Sequence, residues 1–452
     1  MKRAFSLLLA FSLILSLFAC GKEPITENIS ETVSSTQKEV VESIAEILTT
    51  LVAPSTVPET KTEPEPTTKL RCLEAKEFAP PLAYCTADFG LRLFNEIQSE
   101  QKNPLISPLS VISALTMAGL GAESRTLEQI TNALKQNPEE LALYLQSYMN
   151  STEMTEGISL ANSIWLNGTR FYPKSTFISD CTQYLDAEVF SDPFNKSTVS
   201  KINSWITKKT DGEIKNVLDE VPANAMAYLI NTVLFEAEWL NPYTSYTSVQ
   251  NQTFTTEDGR KQNVSMLCSS HSSDAVFTLG KTTGIFNSYT NGYSFVALLP
   301  DEGVSIKEAA ESFTAKEFIS TVADKTSRSH FKSTGTLYSV RLPKFEAECS
   351  YELRDALSKM GITDAFCDKA DFSKMGTSPE GYIYFSRALH KTHIALTEKG
   401  TKAGAATVME FKAGSVMIDK IIQLYFDRPF LYAIVENETG MPVFFGAVTD
   451  FE

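Results

Sequence analysis

From Glu398 to Ala413 the chain reads Glu-Lys-Gly-Thr-Lys-Ala-Gly-Ala-Ala-Thr-Val-Met-Glu-Phe-Lys-Ala, which alternates like a β-strand yet holds little that would keep it in one. At a period of two, Thr401, Ala403, Ala405, Thr407, Met409, Phe411 and Ala413 share one side, while Lys402, Glu410 and Lys412 all fall on the other. That partition suits a strand with one face on a core and the other in water. The Gly and Ala content gives poor strand propensity and few side-chain contacts. The stretch is therefore expected to have two states, an exposed loop and an inserted strand.

The remaining chain reads as helices first and strands later. Phe89, Leu93, Phe94 and Ile97 form a helical stripe. Ser107-Pro108 is a cap residue followed by proline at the first helical position, and Thr126 with Gln129 has the capping-box spacing. Apolar or alternating runs follow at Ala227 to Phe235, Tyr293 to Leu299 and Tyr338 to Leu342, with a hairpin from Leu431 to Val448 around the turn residues Glu436 to Gly440. This order predicts an α+β domain, here spanning 72–452 as a single unit.

Ahead of it, Lys2 and Arg3 precede an uncharged run from Ala4 to Ala19, too short and too close to the terminus for a spanning helix, so 1–19 reads as a signal peptide. Leu17-Phe-Ala-Cys20-Gly21 resembles a bacterial lipobox, which implies cleavage before Cys20, a lipid on its thiol and anchoring at the cell surface. An ordinary signal peptide and full secretion are the alternative. Residues 20–71 read as a Pro/Thr/Glu-rich stalk unable to bury enough apolar surface to fold, with helical spacing of Val40, Val41, Ile44, Ile47, Leu48, Leu51 and Val52 allowing a short helix at 37–52. Six further cysteines (Cys72, Cys85, Cys181, Cys268, Cys349, Cys367) show no metal-ligand spacing, so no metal is expected, and Cys72–Cys85 is one pairing open to an exported chain. A formal charge of −15 argues against nucleic acid and polyanion partners.

A family resemblance rests on an ordered set of motifs. Asn103-Pro-Leu-Ile-Ser107-Pro108-Leu-Ser110, Gly121-Ala-Glu-Ser-Arg-Thr126, Ile202-Asn203-Ser-Trp205 with Thr210-Asp-Gly212-Glu-Ile214, Asn231 with Phe235 and Trp239, and Leu342-Pro-Lys344-Phe345 with Met360-Gly-Ile362 resemble the serpins. So do Ser386-Arg-Ala-Leu-His390-Lys391, Asp427-Arg-Pro429-Phe430 and Pro442-Val-Phe-Phe445-Gly446. The resemblance implies three β-sheets with eight or nine helices, an exposed mobile reactive loop at 398–425, and inhibition of serine proteases without cofactor or catalysis. A protease would attack the loop, form an acyl-enzyme, and be trapped when the freed hinge enters the main sheet.

The resemblance also assigns sites. Glu398, Gly400, Thr401, Ala403 and Ala405 match the hinge, with no charge on the face to be buried. Counting forward from it puts the scissile bond at Gly414–Ser415, suited to subtilisin-like or elastase-like proteases. Counting back from Pro429 puts it near Ile418–Asp419. Cleavage after Lys412 would suit trypsin-like enzymes, and after Met417 or Phe411 chymotrypsin-like or elastase-like ones; cysteine proteases are a further class. Ser107, Ser110, Asn231 and His390 match the shutter, where the imidazole is expected to bond Asn231 and Ser107, and Trp239 matches the breach. Ser107 with His390 is not read as a hydrolytic pair, and His390 and His393 at a spacing of three on a strand point to opposite faces, unlike a zinc motif. A non-inhibitory binding protein and a stalk-displayed adhesin are the competing functions.

Overall fold

The structure, a computed structural model, describes residues 75–451 except 152–156, 223–224, 245–246, 273–274, 327–335, 380, 386 and 402–419. The segments expected to be a signal peptide and a stalk, the expected helix at 37–52, Cys20, Cys72, and the loop positions Ala403, Ala405, Lys412, Gly414, Ser415 and Met417 lie outside the described residues. All described residues belong to one unit, Thr68–Glu452.

Nine helices lie among the described residues: α1 (Ala75–Ile97), α2 (Pro108–Leu120), α3 (Ser124–Leu134), α4 (Pro138–Met149), α5 (Ser175–Leu185), α6 (Lys196–Lys209), α7 (Ile306–Ala310), α8 (Ala315–Thr326) and α9 (Arg354–Lys359). The stripe Phe89, Leu93, Phe94 and Ile97 is fully buried along α1. Helix α2 starts as its sequence dictates, with Ser107 Oγ accepting the Ser110 N–H at 3.3 Å and Pro108 next in line. It is buried along nearly its whole length, so it runs through the core. Helix α3 departs from expectation: it begins before Thr126, whose hydroxyl instead accepts the Asp371 N–H, while Gln129 bonds Thr363 and Asp364. Partners distant in sequence have taken both capping-box side chains.

One sheet has six strands in the order β1 (Leu105–Ile106), β19 (Pro442–Val448), β18 (Phe430–Glu436), β11 (Tyr293–Pro300), β10 (Thr282–Ser288) and β9 (Val276–Leu279). A second has four, β17 (Lys420–Tyr425), β12 (Thr336–Pro343), β8 (Lys261–Ser272) and β7 (Ser248–Thr255), with β17 parallel to β12. A short ribbon joins β3 (Tyr172–Pro173) to β14 (Gly376–Thr377).

The third sheet comes in two parts. One has the order β4 (Glu188–Asp192), β2 (Ile158–Asn167), β5 (Ala227–Phe235); the other β13 (Phe345–Glu352), β15 (Leu389–Leu396), β16 (Gly400–Thr401), β6 (Ala237–Glu238). Because β6 continues β5 after a single residue, the parts meet at one end of the sheet. Below β16, β5 and β15 face each other without a described ladder pair. Helix α2 lines the cleft from within, while α6 covers the outer face of β2 and β5 through Ile202, Trp205 and Ile206, which pack with Trp165 and Tyr228.

Candidate functional site: the hinge seat and the strand slot

Strand β15 alternates so that His390, Thr392, Ile394 and Leu396 face inward and Lys391 and His393 outward. It ends in a tight turn in which Thr397 donates to the Gly400 carbonyl through both N–H and Oγ1, each at 2.9 Å. The chain then reverses into β16, placing Thr401 opposite Leu396 on one side and Ala237 on the other. Thr401 is 1% exposed, and its Oγ1 lies 2.5 Å from the Tyr289 hydroxyl. Gly400 has φ +151, and a Cβ there would stand 2.0 Å from the Ala237 carbonyl oxygen, so only glycine fits.

Trp239 holds this turn from the opposite strand. Its N–H donates to the Lys399 carbonyl and its Nε1–H to the Thr397 carbonyl, both at 2.9 Å, and its indole stacks on Tyr289 with centroids 4.3 Å apart. Glu398 is fixed by Lys344 Nζ at 2.7 Å and Ser248 Oγ at 3.1 Å. Partial burial pushes its carboxyl up, but the bonds and charge of Lys344 outweigh this and hold it below the usual carboxylate value. The structure therefore brings Glu398, Gly400, Thr401 and Trp239 together in one seat. Tyr289 and Tyr243, the latter donating its N–H to the Glu398 carbonyl, were missed in the sequence, where nothing marks them among sixteen tyrosines.

Below the seat lies the slot, a cleft of about 110 Å³ lined among others by Ala114, Leu229, Ile230, Asn231, Leu389 and His390. His390 Nε2 accepts the Ser107 N–H at 3.1 Å, and burial lowers its pKa to about 4, so the ring is neutral. The Ser107 hydroxyl donates to the Val443 carbonyl at 2.9 Å. Ser107 Oγ and His390 thus form no nucleophile and base pair. On the opposite edge, Asn231 Nδ2 donates to Asn162 Oδ1 at 2.7 Å, which also receives Ser113 Oγ at 2.9 Å.

The expected His390–Asn231 bond is corrected here: the two residues line opposite edges of the slot, each bonded to its own side, because β5 and β15 are not paired at their level. Asn231 Oδ1 and Thr232 Oγ1 are buried without a partner among the described residues. Asn162 and Ser113 escaped the sequence reading, although Ser113, one turn beyond Ser110 on a mostly apolar helix, carried a usable signal. Among the described residues no three His, Cys, Asp or Glu side chains converge as metal ligands.

The molecule is thus an α+β scaffold with a sheet joined at one end and unzipped below, and a chain reversal seated at the mouth of the opening. The chain belongs to the serpin family. The family pattern described as serpin (serine protease inhibitor) matches residues 85–451. A thyroxine-binding globulin of Sus scrofa is 28% identical over 398 residues, 84% of this chain and 92% of the relative. Alpha-1-antiproteinase S of Cavia porcellus is 29% identical over 364 residues, 78% of this chain and 86% of the relative. The native-state crystal structure of tengpin, a thermophilic serpin, is 36% identical with a TM-score of 0.74, covering 84% of this chain and 96% of that one. The chain is therefore similar both to a relative named for thyroxine binding and to one named as an antiproteinase.

Proposed function

We propose that the protein is a suicide-substrate inhibitor of serine proteases. The observation that carries this reading is the slot that opens directly below a seated Thr401. Continued without a break, the β16 register would set Ala403 between Ile394 and Phe235, Ala405 between Thr392 and Val233, and Thr407 between His390 and Asn231. The neighbours on β15 are inward-facing, as are Phe235 and Val233 on β5, so the uncharged side of the loop would meet the core and Lys402, Glu410 and Lys412 would lie on the outer face. The Thr407 hydroxyl would stand beside the unpartnered Asn231 Oδ1.

Each ladder bond so formed is worth about 1 kcal/mol net, and thirteen residues from Thr401 to Ala413 span about 43 Å. An acylated protease carried that far would be held with its oxyanion hole disturbed. The favoured scissile bond is Gly414–Ser415, for subtilisin-like or elastase-like enzymes. Incubation with subtilisin, elastase, chymotrypsin and trypsin, read by denaturing gels and mass spectrometry, tests it. A covalent band at the summed mass with a fragment beginning at Ser415 is expected, and clean cleavage by all four without adduct would refute inhibition of these classes. The second reading, a binding protein, is favoured by the thyroxine-binding relative; unchanged thermal stability after loop cleavage would support it. Lipid anchoring through Cys20 belongs to the same proposal and predicts that Cys20→Ser releases the protein from the membrane fraction.

A further inference from the structure

The slot has a strap across it. Helix α6 and the turn after it belong to the β2–β5 side, where Ile206, Ile214 and Leu218 bury with Trp165 and Tyr228. Thr210 stiffens the turn, its hydroxyl donating to the Ile206 carbonyl at 2.8 Å and accepting the Ile214 N–H at 3.1 Å. Two outward residues of β15 reach this turn from the other edge. Lys391 Nζ donates to the Lys215 carbonyl at 2.8 Å and pairs with Glu348 at 2.9 Å. His393 Nδ1 stands 2.8 Å from Glu213 Oε2 in the turn, and its Nε2 3.0 Å from Glu346 Oε1 on β13.

A neutral imidazole has one N–H and one lone pair. With a carboxylate at hydrogen-bond distance from each nitrogen, the neutral ring can donate to one and turns its lone pair on the other. The imidazolium donates to both, and both bonds are then charge-assisted. The charged groups facing the ring are Glu213 from the turn, Glu346 and the cross-strand Glu348 from β13, and Lys391 two residues along its own strand. His393 is only 11% exposed, which limits screening.

We propose that protonation of His393, with a carboxylate at hydrogen-bond distance from each ring nitrogen, fastens the α6 turn across the strand slot, holding it closed when the ring is charged and releasing it when the ring is neutral. The proposal rests on the strand-insertion reading, because a strand entering beneath the turn must lift it. The switch belongs to this chain's own residues and acts on the rate of insertion, whatever protease makes the cut.

Hydrogen exchange of the full-length protein at pH 5.5 and pH 8, corrected for intrinsic rates, tests the fastening. Protection of amides 210–215 is expected to fall roughly fivefold at the higher pH in the wild type and to be flat in His393→Gln and in Glu213→Gln. A histidine with a merely structural role would lower protection equally at both pH values on substitution. A wild type without pH dependence, or a dependence that survives His393→Gln and so belongs to another group, overturns the proposal. The second measurement is the rate at which the loop-cleaved protein gains thermal stability, expected to be slower at pH 5.5 in the wild type alone. A gain at a pH-independent rate overturns the slot-closing role. Absence of any gain overturns the insertion reading instead, and the exchange data then decide the fastening by themselves.

Discussion

Replacing Gly400 by alanine should empty the hinge seat. The added Cβ would lie 2.0 Å from the Ala237 carbonyl oxygen and 2.9 Å from Glu238 Cα, both backbone atoms that no rotamer change can move aside. A φ of +151 adds strain for any residue with a Cβ. The chain must therefore shift outward by about an ångström or more, which breaks the pairing of Gly400 and Thr401 with Glu238 and Ala237 and the Thr401–Tyr289 bond. At about 1 kcal/mol net for each hydrogen bond, the loss is about 2–3 kcal/mol. Urea unfolding of wild type and Gly400→Ala measures it, and fluorescence of Trp239, stacked on the Tyr289 that Thr401 touches, reports the seat directly. On the proposed inhibitory function, the same variant should be cleaved without forming an adduct, since insertion would start from this register. A stability change below about 0.5 kcal/mol with unaltered fluorescence would refute the steric argument, since a displaced hinge loses at least two bonds.

Three further outcomes are expected. Burial lowers His390 and His271 to about 4 from the ordinary histidine value of 6.5, so the unfolded chain takes up these protons first. Stability should be full above about pH 6.5 and fall toward pH 4, by at most about 3 kcal/mol per ring; His390→Gln should flatten part of that slope, and an identical slope in the variant would show that the proton goes elsewhere. Trp239→Phe removes the donor to the Thr397 carbonyl and should cost about 1–3 kcal/mol in urea unfolding, whereas His271→Gln, in the second sheet, should leave the Trp239 fluorescence untouched. Arg341 stacks on Tyr425 of β17 at 4.4 Å and donates to Gln252 of β7 at 2.8 Å, so Arg341→Ala should raise hydrogen exchange across 420–425 several-fold; unchanged exchange there would show that the backbone ladder to β12 alone holds β17.

Alternation, caps and apolar runs are local properties, and the chain states them plainly. The stripe of α1, the Ser107-Pro108 start of α2, the opposite faces of His390 and His393 on β15 and the β18–β19 hairpin all followed from neighbours a few residues apart, because helix and strand periods are fixed by backbone geometry. The motifs then placed Ser107, Asn231, Trp239, His390 and the hinge in a serpin framework. Which of these residues touch was another matter. Thr126 and Gln129 looked like a cap and became tertiary ligands of the segment around Asp371 and Thr363, since a hydroxyl or amide bonds whatever donor packing brings nearest. His390 and Asn231 looked like partners and stand on opposite edges of an open slot, each bonded to its own side. The sequence by itself determined a segment that alternates like a strand with no charge on one face, and an α+β fold around it. Only the tertiary structure decided that the hinge is already seated at Thr401, that Gly400 is required by a carbonyl on another strand, and that His393 meets a carboxylate at each nitrogen. Those facts depend on contacts between segments far apart in the chain, for which no local pattern exists.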